Sequence, residues 1–257
     1  MPDFEKAAES FGADAARYHR SRPRYPDEMV AAVVDVMPGR EVLDVGIGTG
    51  IAAGQLRDAG CHVLGLDPDE RMAELSRADG FDVEVAHFED WDPAGRSFDA
   101  VTAAQAWHWI DPVKGAAKAA DALKPDGCLA AFWNVAETPD DVDVAFRAVY
   151  HEAAPELEHY RQKMPGIAAY SVAFVKASQG INQTEAFGPP ELWRFEWERV
   201  YTKDEWLDQL PTFGDHSQLS PQQLEQVLTG IAAAIDGFGG SFAMPMTAAV
   251  VTATKRS

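Results

Sequence analysis

The sequence predicts an α/β fold in which helices cover both faces of a mostly parallel β-sheet. From residue 41 to residue 133, apolar segments of strand length alternate with helix-like segments, a pattern typical of parallel strands joined by right-handed crossovers. A run of glycines separates the first strand from the next helix, at the position where open α/β sheets receive nucleotide-like ligands. Two further strand-like segments near the end of the chain bring the predicted sheet to seven strands.

The individual elements follow from hydrophobic periodicity and from helix stop signals such as Gly60 and Pro38-Gly39. Strands are predicted at 41–45, 62–66, 81–85, 97–103, 128–133, 192–201 and 242–252. Helices are predicted at 4–19, 27–37, 51–59, 69–78, 113–123, 140–153, 155–163, 203–210 and 221–235. Residues 165–188 are ambiguous between helix and loop.

The charge of the chain restricts its partners. Its 257 residues carry 41 acids and 22 bases, a formal net charge of −19. Such a field repels phosphate backbones and anionic lipid surfaces, so we expect neither a nucleic-acid nor a membrane partner. The two cysteines, Cys61 and Cys128, form no metal or redox motif. The N-terminal segment lacks the features of a secretion signal, and we expect a cytoplasmic protein that is a monomer or a homodimer.

The glycine run is Gly46-Ile47-Gly48-Thr49-Gly50, and it follows Asp44 in the first strand. A dinucleotide-binding turn has its third glycine five residues after the first, where this chain has Ile51. An acid at this strand end is unfavourable for a diphosphate and favourable for a ligand with a cationic ammonium group. The motif therefore favours a cationic ligand over a dinucleotide.

A second acid, Asp67, ends the second predicted strand. In a doubly wound sheet, an acid at this place hydrogen-bonds the ribose hydroxyls of the ligand. Asp67 also suits the simpler role of capping the helix that follows, and the two roles are compatible. The turn after the third strand, residues 86–91, is expected to meet an adenine ring.

With these motifs in order, the chain resembles the class I S-adenosylmethionine (SAM) methyltransferases, in particular the small-molecule branch with a type 11 domain that includes trans-aconitate methyltransferase. The resemblance rests on Val42–Gly50, Asp67, Ala86–Asp90, Phe98–Asp111 and the arm Tyr18–Pro26. It implies a seven-stranded Rossmann-like sheet with an antiparallel last strand. It also implies a single domain over 1–257, with a SAM-binding core at 40–134 and a helical cap at 138–190 that selects the substrate.

The resemblance implies the cofactor SAM, its product S-adenosylhomocysteine, no metal, and a set of site residues. His108 is the candidate general base, Gln105 is expected beside the sulfonium, and Phe88 and Glu89 are expected at the adenine. The presence of His87-Phe88, where relatives carry small residues, is a departure from the family pattern. The predicted cofactor-binding residues are Tyr18, Arg22, Asp44, Gly46, Gly48, Gly50, Asp67, Pro68, Met72, Phe88, Glu89 and Gln105.

The sequence leaves the methyl acceptor open. A carboxylate nucleophile needs no base, whereas a phenol, an alcohol or an amine can require one. The arginines of the N-terminal arm favour a small anionic acceptor, and hence O-methylation of a carboxylic acid, unless they pair with nearby acids. A phenol or amine acceptor, a nicotinamide dehydrogenase and a non-catalytic SAM-binding protein are the alternatives. The arm arginines are Arg17, Arg20, Arg22 and Arg24, and the nearby acids are Asp14, Asp27 and Glu28.

Overall fold

The structure is a computed structural model that describes residues 14–162 and 166–257. The chain folds into two compact units. Residues 4–13 of the first predicted helix, and Lys163 at the end of another, lie outside the described residues. The larger unit comprises Pro23–Val135, Tyr170–Phe195 and Thr247–Ser257. The described residues of the smaller unit are 14–22, 136–162, 166–169 and Glu196–Met246.

The predicted seven-stranded sheet is confirmed, with the strand order β3-β2-β1-β4-β5-β7-β6. The first five strands pair in parallel, β1 with β2 and β4, β2 with β3, and β4 with β5. The strands are β1 Glu41–Val45, β2 His62–Asp67, β3 Asp82–Val85, β4 Phe98–Ala104, β5 Leu123–Ala136, β6 Glu191–Thr202 and β7 Ser241–Thr254.

The last strand runs antiparallel to its neighbours. Along β7, residue numbers fall as those of β6 rise, since Gly188 N–H donates to the Thr254 carbonyl and Lys203 N–H donates to the Gly240 carbonyl. β7 is also antiparallel to β5, since Lys255 N–H donates to the Gly127 carbonyl and Glu137 N–H donates to the Pro245 carbonyl. The mixed sheet therefore has the predicted antiparallel end.

In the larger unit, helices pack their apolar faces against the central strands. Met29 and Val33 of α2 and Leu56 of α3 share one buried cluster with Val42 of β1 and Phe132 of β5. Burial of these side chains is the main favourable term for this unit. Its helices are α2 Asp27–Asp35, α3 Ile51–Asp58, α4 Glu70–Ala78, α5 Pro112–Ala122 and most of α7 Ile167–Gln183.

The smaller unit is built on an aromatic core. Phe146, Tyr201, Trp206 and Phe242 form edge and stacked ring contacts, with centroids between 4.9 and 5.9 Å apart. Its helices are α1 Ala15–Ser21, α6 Asp140–Ala153, α8 Lys203–Gln209 and α9 Pro221–Gly237.

The segment predicted as a cap, 138–190, differs from the sequence prediction in its secondary structure. The helix predicted at 155–163 is wrong for the described residues 155–162, which contain only a short 3-10 turn at Glu158–Arg161. The ambiguous stretch 165–188 contains α7. The segment is divided between the two units, and its role as a cap stays a prediction.

The start of α9 yields a stability prediction. The Ser220 hydroxyl oxygen accepts from Gln223 N–H, and the Gln223 side chain accepts from Ser220 N–H, which together form a capping box. We expect Ser220→Ala to lower the free energy of unfolding by about 1 kcal/mol, measured by urea denaturation. Thr229→Ala, at an exposed position in the same helix, is the control and should be neutral or slightly stabilising. Equal losses for both variants would contradict the capping role.

Candidate active site at the carboxyl edge of the sheet

The glycine turn after β1 depends on backbone conformations that glycine favours. Gly46, Gly48 and Gly50 all have positive φ, at 70°, 57° and 83°, where a Cβ is unfavourable. Gly50 directly precedes α3, so the first N–H groups of that helix are available at the turn. A Cβ placed on Gly46 would lie 2.5 Å from the Ala106 Cβ. The glycine turn therefore packs against the loop 105–111, which joins β4 to α5.

Asp67 holds this turn from the end of β2. Its Oδ2 accepts from Gly48 N–H at 2.8 Å, and its Oδ1 accepts from Asp69 N–H at 2.9 Å. Burial raises the pKa of the Asp67 carboxyl, and the two backbone donors oppose that shift. Because each carboxylate oxygen has more than one lone pair, Asp67 can still accept from the two hydroxyls of a ribose.

Asp44 is a fully buried acid in β1. Its Oδ1 accepts from the Thr102 hydroxyl at 2.7 Å, while Oδ2 has no hydrogen-bond partner within 14–162 and 166–257. Burial raises the pKa of Asp44 to about 7, the Thr102 bond opposes this rise, and the charge of Asp67 adds to it. A cationic N–H donor placed at Oδ2 would offset the desolvation of this carboxylate.

The predicted adenine residues lie in the same unit. Phe88 and Met72 are buried, and the Phe88 ring lies 6.3 Å from the Trp107 ring. Pro68, which is predicted to bind the cofactor without a more specific role, is exposed. Glu89 accepts from Asp111 N–H through Oε1 at 3.1 Å, which ties the adenine turn to the loop 105–111. The adenine assignments stay predictions.

Gln105 begins the loop 105–111 in a left-handed conformation, with φ of 55°. Left-handed φ is uncommon for a residue with a side chain, and such strain often occurs at functional sites. The Gln105 backbone donates to the Phe132 carbonyl, and its side-chain amide donates to the Asn134 carbonyl at 2.8 Å. The Gln105 amide oxygen therefore remains as an acceptor.

Asn134 is a further candidate site residue that the sequence motifs do not include. It is 8% exposed, and its side-chain amide donates to the Arg24 carbonyl at 3.0 Å. Its Oδ1 is buried and has no hydrogen-bond partner in the described part of the chain. A polar residue directly after the apolar run Leu129–Trp133 was the available signal, because side chains at strand ends in this fold line the ligand crevice.

His108 lies in a 3-10 turn at Trp107–Trp109. Its Nδ1 accepts from the Trp133 indole N–H at 3.2 Å. Desolvation of the ring lowers the pKa of His108 to about 4, although the residue as a whole is exposed to solvent. Its role as a general base stays a prediction.

Tyr18 and Arg22 belong to the smaller unit. The Arg22 guanidinium lies 4.7 Å from the Tyr18 ring centre and 4.8 Å from that of Phe213, and it donates to the Thr212 carbonyl at 2.7 Å. Arg17 and Arg20 both bind Asp208, at 3.2 and 2.7 Å. The expectation that the arm reaches the cofactor is untested.

Neither a metal cluster nor a membrane span is found in the described ranges. Within 14–162 and 166–257, no group of three or more His, Cys, Asp or Glu side chains could hold a metal ion. No helix of those ranges is long and apolar enough to cross a bilayer.

Comparison with known proteins agrees with this geometry. Residues 43–131 match the family model described as a methyltransferase domain. An uncharacterized methyltransferase of Mycobacterium tuberculosis is 38% identical over 128 residues, which cover 49% of this chain and 52% of the relative. A demethylmenaquinone methyltransferase of Renibacterium salmoninarum is 31% identical over 156 residues, which cover 58% of this chain and 64% of the relative. The matches thus span about half to two thirds of these curated relatives.

Residues 43–131 are therefore similar in sequence to methyltransferase domains. Solved structures support the fold over about nine tenths of the chain. A protein from Anaeromyxobacter dehalogenans, provisionally described as a type II methyltransferase, superposes with a TM-score of 0.59 at 23% identity, covering 91% of this chain and 97% of that one. A Haemonchus contortus phosphoethanolamine N-methyltransferase bound to S-adenosylhomocysteine has a TM-score of 0.50 at 17% identity, covering 90% of this chain and 53% of that one.

The buried acid of β1 yields a pH prediction. The pKa of Asp44 rises from an ordinary 3.8 to about 7 on folding, so the folded state binds the proton more tightly than the unfolded state. The contribution of Asp44 to stability therefore falls as the pH rises from about 4 to about 7, by on the order of 3–4 kcal/mol. Asp44→Asn should remove this loss.

Urea denaturation of both proteins between pH 5 and pH 8, without ligand, measures the effect. As the pH rises from 5 to 8, the free energy of unfolding of Asp44→Asn should increase relative to that of the wild type. A difference that stays constant with pH would contradict the shifted ionisation of Asp44.

Proposed function

We propose that this protein is a SAM-dependent methyltransferase that transfers a methyl group to a small molecule. The observation that carries the proposal is the glycine turn between two buried acids, Asp44 and Asp67, within a methyltransferase domain. Asp44 Oδ2, which has no hydrogen-bond partner among the described residues, suits an ammonium group, and Asp67 suits a ribose. The proposal of a cytoplasmic monomer or homodimer, without nucleic-acid or membrane partners, rests on composition and charge.

The residues at the carboxyl edge fit SAM and would hold it at the glycine turn. Asp67 would bind the ribose, Asp44 the ammonium group, and the glycine turn the methionine backbone. Phe88, Glu89, Met72 and Pro68 would surround the adenine. When bound, SAM supplies a methyl group on a sulfonium centre, and the remaining requirement is in-line placement of a nucleophile. Gln105, fixed by Asn134, would lie beside that centre.

We favour a carboxylic acid as the methyl acceptor, in line with the resemblance to trans-aconitate methyltransferase. A carboxylate needs no base, and His108 is poorly suited to be one because its lowered pKa makes it a weak proton acceptor. The arm arginines support this choice less than the sequence suggests, since Arg17 pairs with Asp14 and Asp208, and Arg20 pairs with Asp208. A phenol or amine acceptor remains the alternative, as does SAM binding without catalysis.

Calorimetry with S-adenosylhomocysteine tests the cofactor assignment. Asp67→Ala should weaken binding by about 2–4 kcal/mol, because two hydrogen bonds to a charged carboxylate are lost. Asp69→Ala removes an acid from the same loop and the cap of α4, and should leave affinity within a few-fold of the wild type. Unchanged affinity of Asp67→Ala would contradict the ribose assignment, and no binding by the wild type would contradict the proposed function.

Methyl transfer from tritiated SAM to defined acceptors tests the substrate class. We expect label in the products of small carboxylic acids, and little label with phenols or amines of similar size. Preferential labelling of phenols or amines would favour the alternative acceptors. Binding of S-adenosylhomocysteine without any transfer, to these acceptors or to a cell extract, would favour the non-catalytic alternative.

A further inference from the structure

The bond between Trp133 and His108 fixes the protonation pattern of the histidine. An indole N–H can only donate a hydrogen bond, so His108 Nδ1 must be the acceptor in the 3.2 Å contact. A neutral imidazole with an accepting Nδ1 carries its proton on Nε2. Low affinity for a second proton follows from the lowered pKa of His108. His108 is therefore a neutral side chain that presents an N–H donor.

Trp133 holds this tautomer firmly. Its side chain is fully buried near the end of β5, with its ring 5.3 Å from that of Phe174. His108 also packs on Trp109, with ring centres 4.7 Å apart. If the Trp133 indole N–H lost its acceptor, the cost of removing this group from water would no longer be offset by a hydrogen bond. In the alternative tautomer, the proton on His108 Nδ1 would point at the Trp133 indole N–H, and no hydrogen bond could form between these two donors.

The donor lies in the loop that packs on the glycine turn. Ala106, two residues before His108, is the residue that a Cβ on Gly46 would meet. Two consecutive residues at the end of β5 each fix one polar side chain of this loop: Trp133 binds His108, and Asn134 binds Gln105. The polar groups of the loop are thus preorganised rather than free to rotate, as a transition-state site requires.

We propose that Trp133 is a positioning residue that makes His108 a hydrogen-bond donor to the methyl-accepting group, and that this group is a carboxylate. The inference rests on the proposed function and deepens it. A lone pair of a carboxylate oxygen forms the new O–C bond, while the S–C bond breaks with its electron pair going to sulfur. No proton is transferred, so no base is needed. His108 Nε2–H would bind the other carboxylate oxygen and orient the nucleophile.

The same geometry is unfavourable for an acceptor that must lose a proton. A phenol or an ammonium group requires a lone pair on the base. The Nδ1 lone pair of His108 is engaged by Trp133, and Nε2 has none. Proton removal by His108 would therefore require the Trp133 bond to break.

Nitrogen-15 NMR of histidine-labelled protein tests the tautomer without any substrate. The His108 signals, assigned by their loss in His108→Gln, should show a protonated Nε2 and an unprotonated Nδ1 from pH 6 to pH 8. Trp133→Phe should admit the Nδ1–H form. A dominant Nδ1–H form in the wild type, or protonation of His108 near neutral pH, would overturn the inference. Trp91→Phe, which removes an indole donor to Glu84, is the control and should leave the His108 signals unchanged.

Kinetics with benzoate, succinate and aconitate test the donor role. A glutamine amide can place an N–H near the position of Nε2, whereas an asparagine amide reaches only the position of Nδ1. On any acid that is turned over, we expect His108→Gln to retain kcat/KM within a few-fold and His108→Asn to lose roughly ten- to a hundredfold. Equal losses in both variants would indicate a base and overturn the proposal.

Calorimetry with S-adenosylhomocysteine separates this inference from the proposed function. Both His108 variants should bind S-adenosylhomocysteine as the wild type does, because the donor serves the acceptor and not the cofactor. If phenols or amines are methylated and the three acids are not, the carboxylate assignment fails while the proposed function stands. If the wild type does not bind S-adenosylhomocysteine, the proposed function itself fails.

Discussion

The hydrogen bond from Gly48 N–H to Asp67 Oδ2 is the constraint on which the carboxyl edge of the sheet depends. It joins the turn after β1 to the end of β2, so that a backbone N–H group and a carboxylate lie next to each other. Three glycines with positive φ make this path accessible. Ser76 of α4 secures the turn from the other side by donating to the Gly48 carbonyl at 2.8 Å. The fold thereby places a turn with three glycines where a ligand can approach.

The same edge of the sheet carries two acids that are buried from solvent. Asp44 and Asp67 are both buried, and each has a raised pKa because of desolvation. Two acids so placed are unfavourable for folding in the absence of a ligand. A cationic ligand relieves that penalty, so the local cost to stability and the affinity for an ammonium group have the same physical origin. The overall charge of −19 has a different role, since it acts at long range on what approaches the protein.

Two residues near the end of β5 fix polar side chains of the loop 105–111. Trp133 and Asn134 are adjacent in the chain, and their bonds fix His108 and Gln105 in defined orientations. The result is a set of neutral hydrogen-bonding groups in the loop that packs on the glycine turn. Neutral donors can orient an anion without strong long-range attraction, which suits a protein whose arm arginines Arg17 and Arg20 pair with its own Asp208.

The sequence by itself determined the strand and helix alternation, the glycine turn and both acids, because these depend on local periodicity and on residues close together in the chain. It also identified Gln105 and His108 as polar residues after a buried strand. Only the tertiary structure decided what those side chains do. Asp208 lies far along the chain from Arg17 and Arg20, Asn134 acquires its role from Arg24 and Gln105, and Trp133 selects the His108 tautomer. Such pairings depend on which segments the sheet brings together, and that information is absent from local sequence patterns.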